Sequence, residues 1–397
     1  MRISTLNFLQ GPVEALNALQ GEVQRTQAQV AGGVKLLTPA DDPVAAGRVQ
    51  ELERWKLAAT QQQRNADLVA SRLSLQETAL ADATDLLQRM QELAVQGGNG
   101  AIDASTRSLL AVEVRSLSEQ LLQIANRRTA SGEHLFAGAR IDAAPFARQD
   151  GAVQYLGDDL VRTVEIAPGQ RVTDGFPGSE LFMRVPAGNG SFALRADPDN
   201  AGTGLAGAGS LVDPAAWDGA PYRVLFMADG SWEARDAADA LVATAPYTPG
   251  AAIEFRGIRL TLTGAPATGD QFHIEPAGSE PIFATLDRLA AALGSPAATA
   301  AQRTLLGNEL NAVLTQLEQS MAHVSNSRSV VGTRLTAIDD AAASRALLEE
   351  DVAANLSKLR DTDMAEALAR LNLQLTGLQA AQQSYAKLAR LSLFDYL

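Results

Sequence analysis

The sequence predicts a mainly helical protein with an inserted all-β domain, and three observations predict it. Both ends carry apolar residues at steps of three and four, the spacing of one helix face. Long stretches inward of each end run almost free of glycine and proline; Gly47 is the one glycine between Pro43 and Gln96. The block from Ile141 to Glu280 then holds 18 of the 32 glycines and 11 of the 16 prolines, around short alternating apolar runs. That pattern reads as strands and turns. The order is palindromic: terminal seam, rod, β insert, rod, terminal seam. A long antiparallel helical bundle, with a coiled coil formed by both chain ends and the β-rich domain at the far end, satisfies it with short connections. The predicted parts are a terminal coiled-coil assembly domain (1–32 and 362–397), a helical rod (33–140 and 281–361) and a β-rich surface domain (141–280).

The first helix carries Leu6, Leu9, Val13, Leu16, Val23 and Val30 on a three–four ladder, with Gln20 and Gln27 filling its gaps. The last helix answers it with Leu368, Leu371, Leu375, Leu378, Tyr385 and Leu388, and Gln382 in one place of the stripe. A helix with one narrow seam cannot bury that seam against itself. The two ends are therefore expected to pair. Because two helices of about 30 residues share only a thin interface, they are expected to stack further on copies of the chain or a related subunit. These apolar positions form the candidate assembly interface.

Between the seams, Asp42 before Pro43 reads as an acidic N-cap followed by proline at the first helical position. A helix from Pro43 to about Gln96 is predicted, a rod of roughly 80 Å. Val44, Leu52, Trp55, Leu68, Leu73, Leu80, Leu86, Met90 and Leu93 supply its apolar positions, and the GGNG at 97–100 stops it. A second helix, capped by Asp103, is predicted from Ala104 to about Ala130, with Leu109, Val112, Leu117, Leu121 and Ile124 inward. In the insert, VRTVEI, ELFMRV, YRVLFM, GIRLTLTG and QFHIE read as strands, and Ala196–Leu211 as loop. Helices return at Ile282–Leu293, closed by Gly294, and again from Pro296. There Leu310, Leu314, Leu317, Met321, Val324, Arg328, Val331, Leu335 and Ile338 step by four and three, and Leu348, Val352, Leu356 and Leu359 carry the ladder on. Asp361-Thr362-Asp363 interrupts it and caps the final helix.

Composition narrows the function. A net charge of −13 disfavours nucleic acid and anionic membranes. The absence of cysteine excludes disulfides and thiolate metal sites. No run of about 20 apolar residues is present, and the opening residues lack the pattern of a secretory signal. The chain is expected to be cytoplasmic, or exported without a cleaved signal peptide.

Catalytic chemistry is not legible. His134, His273 and His323 stand apart, with no ligand spacing. Gly202–Gly207 matches GxGxxG formally, but with no strand before it and no helix after it, it reads as a loop. Asp197-Pro198-Asp199 resembles a calcium loop, yet alanines occupy ligand positions. The acidic pairs Asp41-Asp42, Asp158-Asp159 and Asp339-Asp340, and the run Glu349–Asp351, read as caps, turns and solvated helix faces. No catalytic, metal or cofactor residue is assigned, and no enzyme is expected.

Several stretches resemble the flagellin superfamily, on its hook-associated branch: MRISTLNF at the start, VAGGVKLLTPADDPVAAGRVQELE, the segment Ser327-Arg328 through Val331-Gly332-Thr333-Arg334-Leu335 with SKLRDTDMAEALARL, and, in the insert, YTPGAAIEFRGIRLTLTGAPATGDQFHIEP with its Gly269-Asp270-x-Phe272. The resemblance implies a structural, non-enzymatic protein of the bacterial flagellum, placed at the junction of hook and filament. It implies a homo-oligomeric ring of copies, a hook-side junction protein and flagellin as neighbours, and an export chaperone on the C-terminal helix. It also implies an extracellular destination reached by the flagellar type III export apparatus. The alternatives are a flagellin, the bulk filament subunit; an adhesin or enzyme carried by the insert; and a cytoplasmic coiled-coil scaffold.

Overall fold

The structure is a computed structural model that describes residues 5–390, with side chains described over residues 10–387. Among the described residues there are six α-helices: α1 Thr5–Gly32, α2 Pro43–Gly97, α3 Ala104–Ala125, α4 Ile282–Gly294, α5 Ala300–Arg360 and α6 Met364–Arg390. The chain divides into two compact units, residues 1–64 with 341–397, and residues 65–340.

In the first unit α1 packs on α6. An antiparallel bridge between Val34 and Asp361 sets the end of α1 beside the start of α6, so the two helices run antiparallel, as the sequence predicts. The first part of α2 and the last part of α5 complete this unit.

The second unit has a core. α2 contributes Leu73, Leu80, Leu87, Met90 and Leu93, α3 Leu110, Val114 and Leu121, and α4 Leu286, Leu289 and Leu293, all buried. From α5 come Leu310, Leu317, Val324, Val331 and Ile338, each seven residues from the next and all buried. A strict seven-residue repeat keeps one seam of a long helix facing its partners. Phe136, Phe146, Phe182 and Phe283 stack edge-on or tilted at 5.4–6.2 Å between centroids, joining the residues after α3 to α4. Beside them lie two hairpins, β1 Phe146–Gln149 with β2 Ala152–Tyr155, and β3 Thr163–Ala167 with β4 Gln170–Thr173.

The remainder of the insert is a two-sheet β structure. Its strands are β5 Val185–Pro186, β6 Phe192–Ala196, β7 Leu205–Ala206, β8 Ser210–Leu211, β9 Tyr222–Phe226, β10 Ser231–Asp236, β11 Leu241–Pro246, β12 Ala252–Phe255, β13 Ile258–Thr263, β14 Gln271–Pro276 and β15 Ser279–Glu280. One sheet runs β11-β10-β9-β14-β6, the other β12-β13-β7 with β8 also on β13, and every pairing is antiparallel. Ile258, Leu260 and Leu262 alternate inward along β13 and meet Val224, Phe272 and Ile274 from the other sheet. β15 pairs with β5 and brings Ser279–Glu280, at the end of the insert, beside Val185–Pro186. Gly269, at φ +91°, turns the chain so that the Asp270 carboxylate accepts from Ala201 N at 2.9 Å, Gly202 N at 3.1 Å and Ala267 N at 2.9 Å. This is what the Gly-Asp-x-Phe segment builds: a buried aspartate that fastens the 197–204 loop to the β13–β14 turn.

Several expectations are corrected. α3 ends at Ala125, not Ala130, because Asn126 turns the chain and its side chain is held by Phe146. Leu109 and Val112 face outward and Leu110, Ala111 and Val114 take the inner face there, while Leu117 is half-buried and Leu121 and Ile124 are buried as predicted. In α2, Val44 and Leu68 are exposed and Leu87 displaces Leu86. ELFMRV is not a strand. Ser179–Met183 forms one turn of π-helix that puts Leu181 and Phe182 side by side in the core, which a strand's alternation forbids. Ala196–Leu211 is not all loop, since it contains β7 and β8. α5 starts at Ala300, after Pro296, with the Thr299 hydroxyl accepting from Gln302 N at 3.2 Å. Past Ile338 the seven-step continues through Arg345, Val352 and Leu359, which leaves Leu348 exposed.

Candidate assembly interface

The first unit is built around a turn and a thin seam. Gly33 adopts a left-handed conformation, φ +67°, and ends α1. Its carbonyl accepts from Thr362 N at 3.0 Å, while Lys35 N donates to Arg360 O at 2.7 Å and Lys35 Nζ to Lys358 O at 2.5 Å. The α1–α2 turn is thus clipped to the α5–α6 turn. The two adjacent aspartates divide the work. Asp41 closes the turn on itself, accepting from Leu37 N and Thr38 N at 2.9 Å and from the Thr38 hydroxyl at 3.0 Å, and it pairs with Arg25. Thr38's backbone N–H, first among its partners, holds the Asp41 carboxyl below the usual carboxylate range. Asp42 caps α2 through Val44 N at 3.1 Å and Ala45 N at 2.9 Å, and Asp363 caps α6 through Ala365 N at 2.9 Å.

On α1 the covered row is Leu16, Leu19, Val23, Thr26 and Val30; on α6 it is Ala367, Leu371, Gln374, Leu378, Ala381 and Tyr385, with Leu375 also half-buried. Val23, Thr26 and Ala367 are the members of these rows that are fully buried. Of the predicted stripe, Leu16, Val23, Val30, Leu371, Leu375, Leu378 and Tyr385 lie on the intramolecular seam. Val13, 39% exposed, and Leu368, 46% exposed, do not, and Gln20, Gln27 and Gln382 face outward. The side chains of Leu6, Leu9 and Leu388 lie outside the described residues. The sequence reading missed Leu19, Thr26, Ala367 and Ala381. Leu19 was legible, since it fills the row better than Gln20. Ala367 was not, because size alone favours Leu368, whereas a small residue at the contact lets the helices approach.

Burial is unequal between the units. Among the described residues the apolar side chains that the first unit buries are Val23, Ala45, Ala59, Ala341 and Ala367, none larger than valine; Thr26 and Arg345 are buried beside them. The unit exposes Val13, Leu37, Val44, Leu57, Leu347, Leu348, Met364, Leu368 and Leu373. Beside the turn, a pocket of about 410 Å³ is lined by Glu22, Arg25, Gln29, Lys35, Arg370 and Gln374 among others, and the Gln374 Oε1 is buried there without a partner.

Charge is divided just as sharply. Of 33 basic and 46 acidic residues, 13 of each fall in residues 1–64 and 341–397. The first unit is therefore neutral and the second carries the whole −13. All four lysines, Lys35, Lys56, Lys358 and Lys387, belong to the first unit.

The histidines are structural. His134 Nδ1 meets Asn126 O at 2.9 Å, and burial lowers its pKa; His273 pairs with Asp197 at 3.0 Å, and His323 with Glu180 O at 2.9 Å. Among the described residues no His, Asp or Glu cluster has the makings of a metal site, and no helix is long and apolar enough to cross a membrane.

Models of the bacterial flagellin N-terminal helical region and C-terminal helical region match residues 3–140 and 314–397. The flagellar hook-associated protein 3 of Salmonella typhimurium is 28% identical over 185 residues, which cover 47% of this chain and 58% of that protein. Flagellin A of Vibrio anguillarum is 27% identical over 174 residues, 44% of this chain and 46% of its own. The chain thus spans about half the length of these curated relatives. The crystal structure of FlgL from Xanthomonas campestris is 38% identical and covers 72% of this chain and 94% of its own, with a TM-score of 0.68.

Proposed function

The chain belongs to the flagellin superfamily, and from that membership we propose that it is a structural, non-enzymatic protein of the bacterial flagellum, forming the junction between hook and filament by self-assembly through its terminal helices. One observation carries the reading: among the described residues the first unit buries no apolar side chain larger than valine while it leaves leucines open on α2, α5 and α6. Covering a leucine stabilises by roughly 1.5–3 kcal/mol, so such a unit gains its stability from neighbours. The terminal seam residues, with Val13 and Leu368, which the intramolecular pair leaves uncovered, supply the contact. Copies of the chain form a ring, with a hook-side junction protein on one side and flagellin on the other. Before assembly a cytoplasmic export chaperone covers α6, and the chain leaves the cell without a cleaved signal peptide. The terminal, rod and β-rich parts divide this work as 1–32 with 362–397, 33–140 with 281–361, and 141–280, the last a surface domain.

The experiment is deletion. Cells lacking the protein should keep their hooks and spill flagellin monomer into the medium. Cells that make hooks but have no flagellin to spill would identify it as the bulk filament subunit instead, the reading that the flagellin likeness supports.

A further inference from the structure

We propose that Asn99 is a site of self-modification: its carboxamide closes on the Gly100 nitrogen and opens again with water to aspartate and isoaspartate, while the fold holds the same tripeptide inert at Asn189. The inference stands apart from the flagellar reading.

Gly-Asn-Gly occurs at 98–100 and again at 188–190. A glycine after asparagine has no Cβ to shield its nitrogen, so the backbone amide can attack the neighbouring carboxamide. The Gly100 amide gives its proton to water, its nitrogen bonds Asn99 Cγ, and the Cγ–Nδ2 bond breaks as ammonia leaves with a proton taken back from water. Water then opens the cyclic imide. Cleavage at Cγ gives aspartate; cleavage at the main-chain carbonyl gives isoaspartate, with the backbone rerouted through the side chain. One water enters, one ammonia leaves and no electron is transferred.

Identical neighbours leave the fold as the difference. Asn99 and Gly100 are exposed in the turn between α2 and α3. The Asn99 Oδ1 accepts from Ala101 N at 3.0 Å, which folds Cγ back over the Gly100 peptide. Among the described residues neither Gly100 N nor Asn99 Nδ2 donates to a protein group, so the attacking and the leaving nitrogen are both free. At the half-buried Asn189 their counterparts are tied: Gly190 N donates to Ala187 O at 3.1 Å and Asn189 Nδ2 to Gly209 O at 3.2 Å. The Asn189 Oδ1 accepts from Ser191 N and from Phe192 N, each at 2.9 Å, and Gly188 N donates to Gln316 of α5 at 2.6 Å. Attack at Asn189 therefore needs three more bonds to open, those to Ala187, Gly209 and Phe192, each slowing it about fivefold.

The test is peptide mass spectrometry on the full chain aged in mildly alkaline buffer, folded and in urea, with a Gly100→Ala variant. Gly100 has open space where a Cβ would stand and no left-handed φ, so alanine fits there. In the folded chain the peptide holding Asn99 should exchange ammonia for water on the order of a hundred times faster than the one holding Asn189, and split into two chromatographic forms. In urea the two rates should converge. Gly100→Ala should slow Asn99 about tenfold by crowding the attacking nitrogen. Equal rates in the folded chain, a faster Asn189, a gap that persists in urea, an Asn99 that reacts only in urea, or one that Gly100→Ala leaves as fast overturns the inference.

Discussion

Arg334 lays its guanidinium over the ring of Phe176, 4.2 Å from the centroid, and donates to Gly175 O at 3.3 Å. Six residues earlier, Arg328 binds Glu77 of α2 at 2.6 Å. From α2, the buried Gln76 donates to Leu135 O at 2.8 Å and accepts from Phe176 N at 3.2 Å. The Ser327–Leu335 motif thus fastens α5 to α2 and to the 175–176 loop within the second unit. Arg334→Lys keeps the charge and loses the flat stacking surface. It should lower the stability of that unit by about 1 kcal/mol, read as a shifted urea midpoint at unchanged slope.

Asp270 is the most exacting carboxylate of the insert. Asp270→Ala would strand three backbone N–H groups, those of Ala201, Gly202 and Ala267. Each buried donor left unpaired costs about 1–3 kcal/mol. The insert holds Trp217 and Trp232, so its melting is visible in tryptophan emission. The variant should show an early fluorescence transition while far-UV helical signal persists. A single transition at the native temperature would contradict the role given to this residue.

Asp41 predicts an acid response. Its pKa is lowered in the fold, so its contribution is present above the ordinary carboxylate value and is lost as pH falls through the lower, folded value. The amides of Leu37 and Thr38, which donate to it, should hold their protection from hydrogen exchange down to about pH 4 and lose it below. Asp41→Ala should remove that protection at neutral pH.

Tyr155 and Tyr222 predict an alkaline one. Burial, then nearby Asp159, pushes Tyr155 up to about 12, and burial, then the hydrogen bond to Asp218, does the same for Tyr222. Tyr155 donates to Asp158 O at 2.7 Å and Phe136 O at 3.1 Å. A raised folded value means that these contributions are complete below about pH 10 and vanish as pH climbs through 12. Tyrosinate absorbance should therefore show a late phase near pH 12, and Tyr155→Phe should reduce its amplitude by one tyrosine.

Periodicity made the helices legible, and alternation found β9, β13 and β14. It failed where one signal serves two outcomes. ELFMRV has the apolar content of a strand, but neighbouring Leu181 and Phe182 are both wanted inside, so the chain coils. On α3, Leu109 and Leu110 are equal in size and Val112 is larger than Ala111, yet Leu110 and Ala111 are the ones that face inward, and α3 packs on α4. At the terminal seam the row was legible only to within that same one-residue choice. Val13 against Pro12 and Leu368 against Ala367 are decided by how closely the paired helix approaches, which a single sequence does not state. The division of charge was readable by counting, once the two units were known.

The confinement of lysine to the first unit has a chemical consequence. Lys35, Lys56, Lys358 and Lys387 hold every side-chain amine in the protein. An amine-reactive reagent that bridges lysines of two copies therefore joins one first unit to another, and leaves the β-rich part unmarked. The arrangement of subunits in an assembly is written in as few as four attachable positions, and a mass spectrum of the cross-linked peptides would read it directly.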